Sequence, residues 1–172
     1  ENGVSKNLFT NKNDGLEDRG TGNGSVDQFN SDGFTIGDAN NFINYSGHTG
    51  CSWTFRKCPG FFDVITYTGT GSSGKTVSHS LGSSPGFIIV KRTDSYDNWS
   101  CFHRSIGTSG IVELNNSDAK NPNSNIYTGV SSTNFTLGSD SSVNASGGSY
   151  VAYVFAHDDQ SFGDDGDEAI IK

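Results

Sequence analysis

The stretch that most constrains the fold lies between Cys51 and Gly69, where one run of alternating apolar residues stops at Pro59-Gly60 and a second begins at once. Side chains in a strand alternate between faces, so Trp53 and Phe55 share one face of the first run, and Phe62 and Val64 share one face of the second. Pro59 cannot donate to a ladder and Gly60 admits positive φ, so the dipeptide punctuates the strand. The junction recurs in outline about a hundred residues later, where Tyr150-Val151-Ala152-Tyr153-Val154-Phe155-Ala156 is followed by a connector and by Ala169-Ile170-Ile171-Lys172. Phe34-Thr35-Ile36-Gly37-Asp38 matches Phe135-Thr136-Leu137-Gly138-Ser139, and Ile43-Asn44-Tyr45-Ser46-Gly47 matches Val143-Asn144-Ala145-Ser146-Gly147. With one single-residue gap, Trp53 falls on Tyr153 and Phe55 on Phe155.

A period near 100 residues is too long for a solenoid and fits a string of small domains. Residues 61–156 then form one complete unit. Residues 1–58 hold the closing half of a preceding repeat behind an irregular N-terminal segment, and 157–172 an acidic connector and the first strand of a following repeat. Within the complete unit the alternation predicts strands near 61–69, 75–79, 86–92, 98–104, 110–115, 125–128, 134–138 and 149–156, and a further strand at 51–57. No helical period is present. Short strands between turn clusters such as Gly82-Ser83-Ser84-Pro85-Gly86 indicate an all-β fold, a sandwich or jelly-roll-like module of short antiparallel strands.

Composition narrows the reading. Hydrophobic residues make up only 31% of the 172, so the core is thin, yet an aromatic share of 12% sets the chain apart from disordered sequences. The net charge of −8 opposes a nucleic-acid surface, which needs clustered Lys and Arg. Much of it sits in one connector, in Asp158, Asp159, Asp164, Asp165, Asp167 and Glu168. No apolar run approaches the roughly 20 residues that span a bilayer, so no membrane contact is expected. The three cysteines, Cys51, Cys58 and Cys101, lack metal-ligand spacing and are expected to be free and mostly buried.

Several motifs invite chemistry and lose it on inspection. Gly69-Thr70-Gly71-Ser72-Ser73-Gly74-Lys75-Thr76 matches the P-loop pattern, but a P-loop needs a helix to follow, and here breaker-rich sequence leads to Pro85; a hairpin loop is the better account. His79, His103 and His157 lack the context of a nucleophile elbow. The acidic connector has hard oxygen ligands but no EF-hand pattern, so no metal and no cofactor is assigned. Asp63, Asp94 and Glu113 are dispersed and offer no paired carboxylates for glycoside hydrolysis, so the chain is not read as an enzyme. The remaining candidate is the hairpin loop 92–99, where Arg92, Tyr96, Asn98 and Trp99 combine aromatic faces that stack on sugar rings with groups that hydrogen-bond hydroxyls. For Trp99 the competing reading is core packing.

The sequence Trp53-Thr54-Phe55-Arg56-Lys57-Cys58-Pro59-Gly60-Phe61-Phe62-Asp63-Val64, followed by Pro85-Gly86-Phe87-Ile88-Ile89-Val90-Lys91-Arg92, by Trp99 with His103-Arg104-Ser105, and by Tyr150-Val151-Ala152-Tyr153-Val154-Phe155-Ala156-His157-Asp158, resembles repeat modules of tail-fibre-like and other virion structural proteins of marine tailed bacteriophages. The resemblance implies a homo-oligomeric virion surface protein, assembled in the host cytoplasm among other virion proteins. Its expected role is attachment to a host-surface glycan, or spacing between other modules. An exterior capsid decoration protein, and further off a polysaccharide-acting enzyme module, are the alternatives.

Overall fold

A computed structural model of the chain describes residues 4–20, 22, 25–37 and 43–157. In chain order the strands are β1 (Lys6–Asn7), β2 (Glu17–Asp18), β3 (Val26–Phe29), β4 (Phe34–Ile36), β5 (Phe62–Thr68), β6 (Lys75–Ser78), β7 (Phe87–Arg92), β8 (Ser100–His103), β9 (Val112–Glu113), β10 (Tyr127–Val130), β11 (Asn134–Leu137) and β12 (Ser149–Phe155). The expected all-β class holds, and all eight strands expected within 61–156 are present. A five-stranded antiparallel sheet, ordered β5-β12-β7-β8-β9, faces a three-stranded antiparallel sheet, ordered β10-β11-β6. Among the described residues no helix is long and apolar enough to cross a membrane.

Period-two alternation decides what lies between the sheets. From the larger sheet Ile88, Val90, Phe102, Tyr150, Ala152 and Val154 point inward, and from the smaller one Val77, Tyr127, Phe135 and Leu137 meet them. One turn of helix, α1 (Ser141–Asn144), links β11 to β12 and was not expected from the sequence. Asp140 caps it, accepting from Ser142 N at 2.9 Å. Two tyrosines pin the turn: Tyr67 Oη donates to Val143 O at 2.8 Å, and Tyr150 Oη donates to Ser141 O and accepts from Ala145 N, both at 2.7 Å. Gly138 precedes it because no side chain fits, since a Cβ there would lie 1.9 Å from Asn125 O.

Four expectations are corrected. The stretch 51–57 joins no ladder: the chain makes an antiparallel bridge only at Cys58 and Phe62, around a turn in which Gly60 takes φ 79°, and the expected strand is exposed coil. Trp53 is 82% exposed. The P-loop-like segment is not a hairpin loop but a crossover, carrying the chain from β5 in one sheet to β6 in the other. Only Cys101 is buried; Cys51 and Cys58 are exposed because their strand does not form. The N-terminal segment is not irregular throughout, since β1 pairs with β2 and β3 with β4. The acidic connector and the strand expected at 169–172 lie outside the described residues.

The repeat extends further back than its sequence signal. β3 and β4 pair as Val26↔Ile36, Gln28↔Thr35 and Phe29↔Phe34, and β10 and β11 pair as Tyr127↔Leu137, Gly129↔Thr136 and Val130↔Phe135. The register shift falls at the same place in both. The flanking bonds agree as well: Gly37 N donates to Ser25 O and Gly138 N to Ile126 O, each at 2.9 Å.

Candidate functional site

The loop 92–99 joins β7 to β8 and is held from three sides. Thr93 N and Oγ1 donate to Ser149 O at 2.8 and 3.1 Å, tying the loop to the start of β12. Asn115 holds the far end, its Nδ2 donating to Asn98 Oδ1 at 2.8 Å and its Oδ1 accepting from Trp99 N at 2.9 Å. The third side is the N-terminal segment, which crosses the outer face of the five-stranded sheet as a strap. Leu16 N donates to Thr93 O and Asp97 N to Asn13 O, both at 2.8 Å, and a Cβ on Gly15 would stand 2.9 Å from Thr93 O, so a glycine lets the two backbones touch.

Beneath the strap lies Lys91, a fully buried lysine. Its Nζ donates to Asp97 O at 2.9 Å and to Asn13 O at 3.2 Å, and it stands 6.0 Å from the Trp99 ring centroid. Burial lowers its pKa below the usual lysine value, with Asp97 and Asp14 acting against the shift. Burial likewise raises the Asp97 carboxyl, despite its bond from Asn98 N. The ammonium therefore serves as a clip between strap and loop. At the loop's entry Arg92 Nε donates to Asp94 Oδ1 at 2.9 Å, and this bond both raises the guanidinium and lowers the carboxylate.

Of the four residues expected to contact a ligand, the structure leaves one exposed at the tip: Tyr96, at 67%. Arg92 is half-buried and paired with Asp94; Asn98 is half-buried and engaged by Asn115. Trp99 is withdrawn from the loop tip: it is 3% exposed, donates Nε1 to Phe9 O and Lys12 O at 3.1 and 3.0 Å, and lies near-parallel to Tyr153. Its burial depends on a strap with no readable period, in which Val4, Leu8, Phe9 and Leu16 were scattered apolar hints. Beyond the strap the outer face forms an open groove of about 550 Å³ lined by Leu8, Leu16, Phe55, Val64, Ile89 and Tyr153, among others.

The other candidate chemistry is used for structure. In the P-loop-like crossover the acceptor of Thr70 N is not a phosphate but Asn144 Oδ1, at 2.8 Å. Asp63, nearly buried, accepts from Ser80 N and Oγ and from Lys57 Nζ, each at 2.8 Å. Burial alone would raise its pKa, but the bonds from Lys57 and Ser80 outweigh it and hold the carboxyl below the ordinary range. His79 bonds Ser131 O through Nε2 and Leu81 N through Nδ1, and burial lowers its pKa. Among the described residues no group of three His, Cys, Asp or Glu is placed to hold a metal ion.

Residues 2–163 match the family described as a domain of unknown function, DUF7483. No curated protein matches the chain. No solved structure matches it either.

Proposed function

The chain belongs to the DUF7483 family, and we propose that it serves as a non-enzymatic attachment module on a phage virion surface, built into a homo-oligomeric tail fibre and meeting a host-surface glycan through the loop 92–99. The observation that carries this reading is the clamped loop: an exposed Tyr96 at the tip of a turn fixed by β12, Asn115 and the strap. A fixed aromatic loses little entropy on stacking against a sugar ring, and loops on a rigid β scaffold are where recognition residues concentrate. Asp94, exposed beside it with Arg92, supplies hydroxyl acceptors and donors next to the ring.

Replacing Tyr96 by alanine tests the reading without disturbing the fold, because the side chain is exposed. Attachment to host cells or to purified surface polysaccharide should weaken at least tenfold, about 1.4 kcal/mol, with an unchanged melting temperature. Unchanged attachment by a correctly folded Tyr96→Ala chain removes this loop as the receptor site and leaves a spacer role.

A further inference from the structure

Residues 25–37 and 43–57 correspond to the closing half of the sandwich, the part formed by β10, β11, α1 and β12, without the strands that half needs. For the β3–β4 hairpin and Asn44 the resemblance is three-dimensional; over 51–57 it is one of sequence, since no strand forms there. Both hairpins share register and register shift, and Asn30 N donates to Gly33 O as Ser131 N does to Asn134 O, each at 2.8 Å. Asn44 Nδ2 donates to Gly37 O at 3.0 Å, as its counterpart Asn144 Nδ2 donates to Gly138 O at 2.6 Å.

In the complete unit this half is closed by β5, β6 and β7. β11 pairs with β6, β12 pairs with β5 on one edge and β7 on the other, and Asn144 bonds Thr70 N and Ser72 O in the β5–β6 crossover. The corresponding groups of the earlier half lack those partners among the described residues. β4 pairs only with β3, the stretch 51–57 forms no ladder, and Ile43, Trp53 and Phe29 stand exposed. Unpaired strand edges beside exposed apolar side chains mark a surface that another strand can complete.

We propose that this face is a docking site for the opening half of another module of the same fold, a polypeptide segment carrying strands equivalent to β5, β6 and β7. The segment adds a β6-like strand to the free edge of β4, flanks 51–57 on both sides, and presents backbone groups to Asn44. A second intact copy of the chain does not fit, because its own β12 already fills the space between β5 and β7. Differences between the halves specify the occupant further. Ser52 and Thr54 are close in size to Ala152 and Val154, but Gly50 stands where Tyr150 fills the core, and Arg56 stands at the position of buried Ala156. The occupant therefore carries bulkier inward residues beside Gly50 and a carboxylate beside Arg56. This inference is independent of glycan recognition.

The probe is a synthetic peptide of residues 61–92, which contains the strands that pair with β11 and β12, titrated into the full chain. Trp53 reports directly, because it is exposed while Trp99 is buried. The expected result is a saturable blue shift with protection of Trp53 from acrylamide, weakened at least tenfold by Asn44→Ala and by Thr54→Pro, with a further gain when the peptide carries a glutamate facing Arg56. Three results would overturn it: no change in Trp53 up to about 100 μM peptide, a change that survives both substitutions, or burial of Trp53 on concentrating the chain alone, which would make a second copy the occupant.

Discussion

Replacing Asn144 by alanine measures how much one buried amide contributes, and Asn44→Ala in the earlier half supplies the control. Asn144 is fully buried. Its Nδ2 donates to Gly138 O at 2.6 Å and Ser72 O at 2.8 Å, and its Oδ1 accepts from Thr70 N at 2.8 Å. Truncation removes one bond from each of the three backbone groups, and of these Ser72 O keeps a second, from Thr70 Oγ1 at 3.2 Å. Gly138 is buried, so its carbonyl is left dry at about 1–3 kcal/mol; Thr70 and Ser72 belong to exposed residues that water reaches, so each loses only the net value of about 0.5–1.5 kcal/mol. The sum centres on about 3–4 kcal/mol, and at about 2–4 °C per kcal/mol for a chain of this size the melting temperature should fall by roughly 6–16 °C. Asn44 is exposed and bonds Gly37 O, so Asn44→Ala should cost less than about 1 kcal/mol. Urea unfolding followed by circular dichroism reads both, the midpoint moving while the slope stays constant. An Asn144→Ala chain within about 1 kcal/mol of the parent, or equal losses for the two substitutions, would refute the reasoning.

Two further outcomes follow from the buried groups. The Asp63 carboxyl is held below its unfolded value, so the stability it confers is present above the ordinary carboxylate range and lost as pH falls through the folded value; the gap in urea midpoint between the parent and Asp63→Asn should therefore close on acidification from pH about 5 to pH about 2, and a constant gap would assign the effect to packing. Burial pushes the Cys101 thiol up to about 11, while Cys51 and Cys58 are exposed, so a thiol reagent at neutral pH should label two cysteines in the folded chain and three in urea; three fast labels in native buffer would contradict the packing around β8.

The sequence by itself determined the strands of 61–156 and their class. Alternation with period two marks each buried face, and Gly, Pro, Asn and Ser mark each turn, so both signals are local. It also carried the homology between 34–57 and 135–157, because Gly37, Asn44 and Gly47 recur with their counterparts. What it could not settle were matters of pairing. Trp53 and Trp99 look alike in sequence, each in an alternating run beside a polar loop, yet one is 82% and the other 3% exposed. The difference lies in distant partners: Trp99 meets the carbonyls of Phe9 and Lys12, nearly ninety residues away, whereas the stretch around Trp53 joins no ladder among the described residues. Tertiary structure likewise sent β6 to the second sheet, turning a P-loop-like segment into a crossover read by Asn144. A strand is a local preference, but its neighbours are chosen by burial and hydrogen bonding across the whole chain, and exposure follows from that choice.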